Sequence, residues 1–241
     1  MFFIMKGKII FMKRRGFHMP KSTDKSQKST GKPSGGKGEQ SMLKEVLSWV
    51  EVIVIAVALA FFIDNVIIIN ATVPSGSMEK TIMTHSRVLG TRFAYWKSSP
   101  KRGDIVVFRY PIDDALGKNT HYIKRIIGLP GEKVEIKEGA VYIDGKKLEE
   151  SYINGTWTVE NDGFTFEVPE GEYLMLGDNR NNSNDARYWP SLAIREGLAA
   201  NEKEAMQYAF VPKNKILGKA YICYWPFSDF GSLYSENRGK E

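Results

Sequence analysis

Near the start of this chain lies an apolar run, residues 46–69, VLSWVEVIVIAVALAFFIDNVIII. No other feature constrains the fold as much. Its uninterrupted centre, residues 52–63, is twelve residues long, whereas crossing a bilayer core of about 30 Å takes about 20. Leu47, Trp49 and Val50 extend it on one side and residues 66–69 on the other. Glu51 and Asp64 fall near its ends, where a charge costs far less than at the bilayer centre. A buried core helix is the alternative reading. The segment that precedes the run favours a membrane span over residues 45–69.

That preceding segment is basic. Residues 1–44 hold eleven Lys and Arg against two acids, Asp24 and Glu39, so the net charge of +6 comes from the tail and the remainder is slightly acidic. The high pI is therefore no argument for a nucleic-acid-binding fold. Residues 20–41 are Ser, Gly, Lys and Pro with almost nothing apolar. Such a stretch cannot bury enough surface to offset its ordering entropy, and is expected to be disordered. In residues 1–17 basic side chains interrupt the apolar ones, which rules out a spanning helix there. An excess of Lys and Arg before the span favours a cytoplasmic N-terminus and an extracytoplasmic body. A cleaved signal peptide fits poorly, since the tail is long and no small-x-small site follows the run cleanly.

From residue 86 onward the pattern turns to short strands. RVLGTRFAYW, DIVVFRY, HYIKRIIGL, KVEIKEGAVYIDGKKL, GEYLMLGD and KILGKAYICYWPF are rich in Val, Ile, Tyr and Phe. Gly, Pro, Asn and Asp separate them. The Asp-Gly pair at 144–145 signals a two-residue hairpin turn. Residues 192–209, LAIREGLAANEKEAMQYA, are the clear helical stretch of the body. The expected fold class is mainly β: an N-terminal transmembrane helix, then a β-rich domain over 70–232 with a hairpin insertion near 132–172 and a small helical insertion near 191–210. Residues 233–241 form a C-terminal tail.

The chemistry available to such a body is limited. One cysteine excludes an internal disulfide framework, and Cys223 in AYICYWPF reads as a small buried hydrophobe. Three scattered histidines without H-E-x-x-H argue against zinc. Serines remain as nucleophiles, and Ser75 and Ser77 in ATVPSGSMEKTI, residues 71–82, are best placed. Pro74 fixes its own φ and pushes Val73 toward an extended conformation. Gly76 permits close backbone approach, and N–H groups of such a turn can form an oxyanion hole. By these residues alone, a Ser/Gly linker remains as good a reading.

A serine needs a base. His121 would complete a Ser-His-Asp arrangement, yet nothing local marks His85 or His121, and no G-x-S-x-G elbow is present. The other candidate is Lys124. On a strand, Tyr122, Lys124 and Ile126 share one face and Ile123, Arg125 and Ile127 the other. A lysine among isoleucines is either a desolvated amine with a lowered pKa or a side chain that snorkels to water. A third stretch, MLGDNRNNSNDARYW over 175–189, is a polar loop after a strand. Asp178, Arg180, Asp185 and Arg187 there are able to form ion pairs that stiffen it.

In this order (anchor, PSGSM, RGDIVVF, YIKRIIGLPGE, GDNRNNSND) the chain resembles the type I signal peptidases, membrane-bound serine proteases that remove signal peptides from exported preproteins. The resemblance covers about residues 43–230. It departs from the common pattern at Glu132, where Asp is usual, and at Ala186, where Ser often stands; neither is a catalytic group in that family. The stretch 191–210 looks like an insertion. The resemblance implies Ser77 as nucleophile and Lys124 as general base. The oxyanion hole would be the Ser75 hydroxyl and the Ser77 backbone N–H. Ser183 would orient Lys124, with Asp178, Arg125, Asp185 and Arg187 as supports. It implies no cofactor and no metal. The substrates would be secretory preproteins with small residues at the first and third positions before the cut. They would add as a strand near residues 70–76 and 120–123. The phospholipid membrane is the other expected partner, and the enzyme would be a single-pass cell-membrane protein with its N-terminus cytoplasmic. Two rivals stand beside this reading: a self-cleaving Ser/Lys repressor, which would carry a DNA-binding helical domain, and a membrane-anchored β-domain that binds a partner without catalysis.

Overall fold

The computed structural model describes residues 37–155, 157 and 162–235. Most of the basic tail, residues 1–36, lies outside the described residues, as do 236–241. Helix α1, Lys37–Phe62, passes into a π-helical turn, Ile63–Ile67. The segment Met42–Ile67 is long and apolar enough to cross a membrane, and its large apolar side chains from Met42 to Phe62 are exposed. The Asn65 side chain donates to the Phe61 carbonyl at 2.9 Å and so meets one of the acceptors left over at the helix end.

The helical run stops short of residue 69. Ile68 and Ile69 open strand β1, Ile68–Thr72, and Ile69 is buried. Hydropathy cannot separate residues that face lipid from those that enter a sheet. The β-branched series Val66 to Ile69 suits both.

From β1 the chain builds an antiparallel sheet. Its strands are β2, Arg87–Thr91; β3, Ile105–Arg109; β4, His121–Gly128; β9, Glu172–Leu176; β10, Phe210–Pro212; and β11, Ile216–Trp225. The order is β1-β2-β11-β3-β4-β9-β10, and a short β12, Gly231–Ser232, pairs with β11. A second sheet of four strands has the order β7-β6-β5-β8: β5, Lys133–Lys137; β6, Ala140–Ile143; β7, Lys146–Lys147; β8, Phe164–Glu167. The turn between β6 and β7 is the two-residue Asp144–Gly145, with φ of 49° and 78°. Positive φ at both positions is the hairpin geometry that an Asp-Gly pair favours.

Several expected strands end sooner. RVLGTRFAYW is a strand only to Thr91, after which Arg92–Tyr95 form a 3-10 turn capped by Thr91 Oγ1, which accepts from Phe93 N at 3.2 Å. The expected helical stretch 192–209 is not one helix. Helix α3, Trp189–Arg195, closes at Gly197, whose N–H donates to the Ile194 carbonyl at 3.0 Å. Helix α4, Glu202–Ala205, then starts from Asn201, whose side chain accepts from Glu204 N at 3.0 Å, and a 3-10 turn, Met206–Ala209, completes the segment. The residues there favour helix, but Gly197 and Asn201 act as stop and start signals inside the segment. A further short helix, α2, Pro111–Ala115, begins with proline in its first turn and had no periodicity to announce it.

The main core lies between the sheets and α3, around Phe108, Ile126, Leu174, Met175 and Trp189. Trp189 packs on Phe108 and Tyr110, with ring centroids 5.8 and 5.6 Å apart. A smaller cluster, with Val73, Met78, Ile82, Val88, Ile105, Ala220, Cys223 and Leu233, lies beneath the turn that carries Ser77. Cys223 is buried there, as the sequence suggests.

Replacing Phe108 with Ala is expected to destabilise the protein by about 3–5 kcal/mol in urea titrations followed by tryptophan fluorescence. Replacing the exposed Trp96 with Ala should move stability by less than about 0.5 kcal/mol.

Candidate active site

Ser77 sits in the 3-10 turn Gly76–Met78, just after β1 and the extended Val73–Ser75. Met78 and Ile82, both fully buried in the smaller core, anchor the turn from below. Lys124 lies at the middle of β4, paired with Val106 of β3. Beyond Lys124, β4 also pairs with β9, from Arg125 onward. The side of β4 from His121 to Lys124 that faces away from β3 therefore has no strand partner among the described residues.

The two side chains meet. Lys124 Nζ and Ser77 Oγ are 2.5 Å apart and hydrogen-bonded, although 47 residues separate them. Both residues are buried, Lys124 to 3% exposure and Ser77 to 4%. The burial of the amine pushes its pKa down from the ordinary lysine value to about 8. Asp185 and Asp178 hold it up in part, and Arg187 adds to the lowering. An amine with such a pKa is substantially neutral near pH 8 and able to accept a proton. Ser75 is exposed, with its Oγ 3.4 Å from that of Ser77. The N–H of Ser77 lies in the first turn of its 3-10 segment, where no intrahelical acceptor exists.

Ser77, Lys124 and Ser75 line a cavity of about 400 Å³ whose walls are residues 71–77 on one side and 120–124 on the other. His121 lines it too, but its ring bonds Asn119 Oδ1 at 3.1 Å and it makes no bond to Ser77.

The loop after β9 holds this arrangement in place. Arg125 grips Asp178 in a fork: Nε to Oδ1 at 2.8 Å and Nη2 to Oδ2 at 2.6 Å. Thr81 Oγ1 donates to the same carboxylate at 2.5 Å, so Asp178 ties β4 to the helical turn below Ser77. Asn179 donates from its backbone to the Ser77 carbonyl at 3.1 Å and from Nδ2 to the Gly76 carbonyl at 3.0 Å. Arg187 forms a second fork on Asp185, at 2.8 and 2.9 Å, and Gly177 N donates to that carboxylate at 3.0 Å. Burial alone would raise the pKa of Asp185, but Arg187 and the Gly177 N–H outweigh it and hold the carboxyl below its usual range.

Gly177 is required by space. A Cβ there would lie 2.2 Å from Ser183 Oγ and 2.4 Å from the Ser77 carbonyl oxygen. The expected hydrogen bond from Ser183 to Lys124 is not formed. Ser183 Oγ is buried beside Gly177 and close to Asp185, whose carboxyl it helps to hold below its usual range. Its side chain is turned toward the loop wall rather than the amine, a rotamer choice that spacing along the chain cannot reveal.

Sequence reasoning missed a third buried fork. Arg180, fully buried, donates to Glu150 at 3.0 and 2.5 Å and to the Gly177 carbonyl at 3.0 Å. Trp157 lies over its guanidinium, 4.6 Å away, and Tyr152 covers that of Arg125 at 3.8 Å. Residues 150–154 thus brace the loop from behind, helped by Lys80 Nζ, which donates to the carbonyls of Ser151 and Ile153. Nothing distinguishes Glu150 from Glu149 in KKLEESYING. Of the two departures in the motifs, Glu132 accepts from Arg102 and from Leu129 N, and Ala186 is simply buried.

The family model described as "Signal peptidase, peptidase S26" matches residues 46–225. A probable signal peptidase I-2 of Synechocystis sp. is 35% identical over 213 residues, covering 88% of this chain and 86% of its own. A signal peptidase I of Bacillus amyloliquefaciens is 36% identical, over 75% of this chain and 96% of its own. A signal peptidase IB of Staphylococcus aureus is 31% identical, over 83% of this chain and its whole length.

Glu150→Gln leaves the fully buried Arg180 charge without its counterion. It is expected to cost about 3–5 kcal/mol of stability, read from the midpoint of a urea titration at constant slope.

Proposed function

This chain belongs to the signal peptidase family, peptidase S26, and from that membership we propose that Ser77 is its nucleophile and Lys124 its general base. The protein is a membrane-anchored serine endopeptidase that removes signal peptides from preproteins. What carries the assignment of roles is the 2.5 Å separation of a buried amine from a buried hydroxyl.

The steps follow from the geometry. Neutral Lys124 takes the proton of Ser77 as its Oγ attacks the carbonyl carbon at the cut. The carbonyl oxygen gains the charge, and the Ser77 N–H and the Ser75 hydroxyl donate to it. At 3.4 Å from Ser77 Oγ and exposed, Ser75 needs only a rotation of its side chain to do so. As the tetrahedral adduct collapses, Lys124 gives its proton to the departing amine. Water then enters and attacks the acyl carbon as Lys124 takes its proton; Lys124 returns that proton to Ser77 Oγ as the acyl bond breaks and the signal peptide leaves. No step calls for a metal or a cofactor. Asp178, Arg125, Asp185 and Arg187 hold Ser77 and Lys124 in register.

The preprotein enters as an extended strand. The unpaired side of β4 at 121–124 and the segment 71–75 face the same cavity and offer backbone groups to both edges of such a strand. Alternate side chains of an extended peptide point the same way, so the first and third residues before the cut share a wall. Val107, Tyr122 and Ile123 line the cavity on that wall, and family membership supports small side chains there. The phospholipid membrane is the second partner. The excess of Lys and Arg before the span supports a cytoplasmic N-terminus and a catalytic body outside.

Ser77→Ala and Lys124→Ala are each expected to lower kcat for preprotein cleavage by at least about 10³-fold with little change in KM. Cleavage at the wild-type rate by both would overturn the reading. The folded enzyme needs the deprotonated amine, so kcat/KM should rise with unit slope from pH 6, bend at about 8 and level off above. A flat profile would exclude Lys124 as the base.

A further inference from the structure

The peptide unit between Gly76 and Ser77 carries the N–H assigned to the oxyanion, and its other end is held by the loop after β9. Its carbonyl accepts from Asn179 Nδ2 at 3.0 Å and, within the 3-10 turn, from Glu79 N at 3.1 Å. The bond is trans, so its N–H and C=O point opposite ways across one plane. Pinning the carbonyl therefore aims the N–H. The Ser77 N–H is turned away from Asn179 and has no acceptor among the described residues. The next carbonyl, that of Ser77 itself, accepts from Asn179 N at 3.1 Å. One residue thus holds both peptide planes that flank the Ser77 Cα. Glu79 completes the arrangement, and no step above uses it. Its carboxylate accepts from Thr84 Oγ1 at 2.6 Å and from Asn179 Nδ2 at 3.4 Å. It also rests on the Gly76 backbone, where a Cβ would lie 2.7 Å from Glu79 Cδ.

We infer that Asn179 and Glu79 are positioning residues for the oxyanion hole. Asn179 locks the Gly76–Ser77 peptide with its N–H toward the substrate, and Glu79 locks the Asn179 amide. This rests on the peptidase reading, with Ser77 as nucleophile. The need for a lock lies in Gly76. Glycine has no Cβ to restrict the planes beside it, so the peptide that follows it turns over at little cost. A turned plane would remove the donor and put a carbonyl oxygen where the oxyanion forms. The bond from Glu79 N resists that turn only from within the same short turn. Asn179 resists it from a separate loop, and it is buried. Chemistry also sets the direction of the lock. Asn179 Nδ2 stands between two acceptors, the Gly76 carbonyl and the Glu79 carboxylate. With the amide reversed, Oδ1 would face both with no proton to share. Thr84 in turn holds the carboxylate in place.

The test uses the full-length chain in detergent micelles, a signal-peptide substrate, and two non-cleavable peptides of the same sequence up to the cut. One ends in an aldehyde. Ser77 Oγ adds to its carbonyl carbon, the carbonyl oxygen becomes an oxyanion in the hole, and the serine proton passes to Lys124. The other ends in the matching primary alcohol and has no carbonyl. Asn179→Ala removes Nδ2 and keeps the backbone N–H. It is expected to lower kcat about 10²-fold with KM within about two-fold of the wild type. Affinity for the aldehyde falls in step with kcat, affinity for the alcohol holds, and the bend of kcat/KM at about pH 8 stays in place. Glu79→Ala is expected to lower kcat about ten-fold, and Glu79→Gln by less, because one acceptor remains. Equal loss of affinity for the two peptides, or a kcat for Asn179→Ala within about two-fold of the wild type, overturns the inference and leaves the dyad intact. Should Asn179→Ala lose its cooperative urea transition, Glu79→Ala decides with the same two peptides. Cleavage by Ser77→Ala at the wild-type rate overturns the peptidase reading and this inference with it.

Discussion

Three buried Arg–carboxylate forks hold one loop, and the position of Ser77 against Lys124 depends on that loop. Asp178 with Arg125, Asp185 with Arg187, and Glu150 with Arg180 each bring two opposite charges out of water. Such pairs contribute little net stability, because desolvation offsets most of their attraction. What they supply is geometry. A bidentate fork fixes distance and plane together. Asp178 joins β4, which carries Lys124, to Thr81, four residues after Ser77. Asn179, the next residue, holds the carbonyls of Gly76 and Ser77. The loop therefore sets both reacting side chains from one short segment.

The same layer tunes the amine. Lys124 is almost fully buried, and burial is the largest influence on its pKa. Two carboxylates stand near enough to oppose that effect, but each is already committed to an arginine. A free aspartate at either place would stabilise the ammonium and take the base away. Pairing the carboxylates inside the support lets the protein keep charges close to Lys124 without protonating it. Where the amine sits and how the loop is charged are thus one problem with one solution.

Much of this was legible in the chain, and the limits are physical. The strands around Ile105, Lys124 and Leu176 declare themselves by β-branched and aromatic runs, and the Asp144–Gly145 turn by its residue types. The motif order pointed to Ser77 and Lys124 and to Asp178, Arg125, Asp185 and Arg187 around them. What stayed hidden was of two kinds. One was a change of element inside a uniform pattern, at Ile68 and again at Gly197, where composition continues but the backbone turns. The other was a partner supplied from far along the chain, as Glu150 is to Arg180 and Thr81 is to Asp178. Ser183 is a third case, because the rotamer it adopts beside Gly177 is decided by packing.

By itself the sequence determined that a membrane-anchored, mainly β protein would present a serine a few residues after its span and a lysine on a later strand. Those are local facts, carried by hydropathy, by strand alternation and by motif order. Only the tertiary structure decided that the lysine is dry, that it lies 2.5 Å from the serine, and that the neighbouring carboxylates are spent on arginines. The reason is that a pKa and a hydrogen bond depend on what surrounds an atom in space. For Lys124 those surroundings come from the turn Gly76–Met78, β3 and the loop after β9, segments that meet only when the sheet closes.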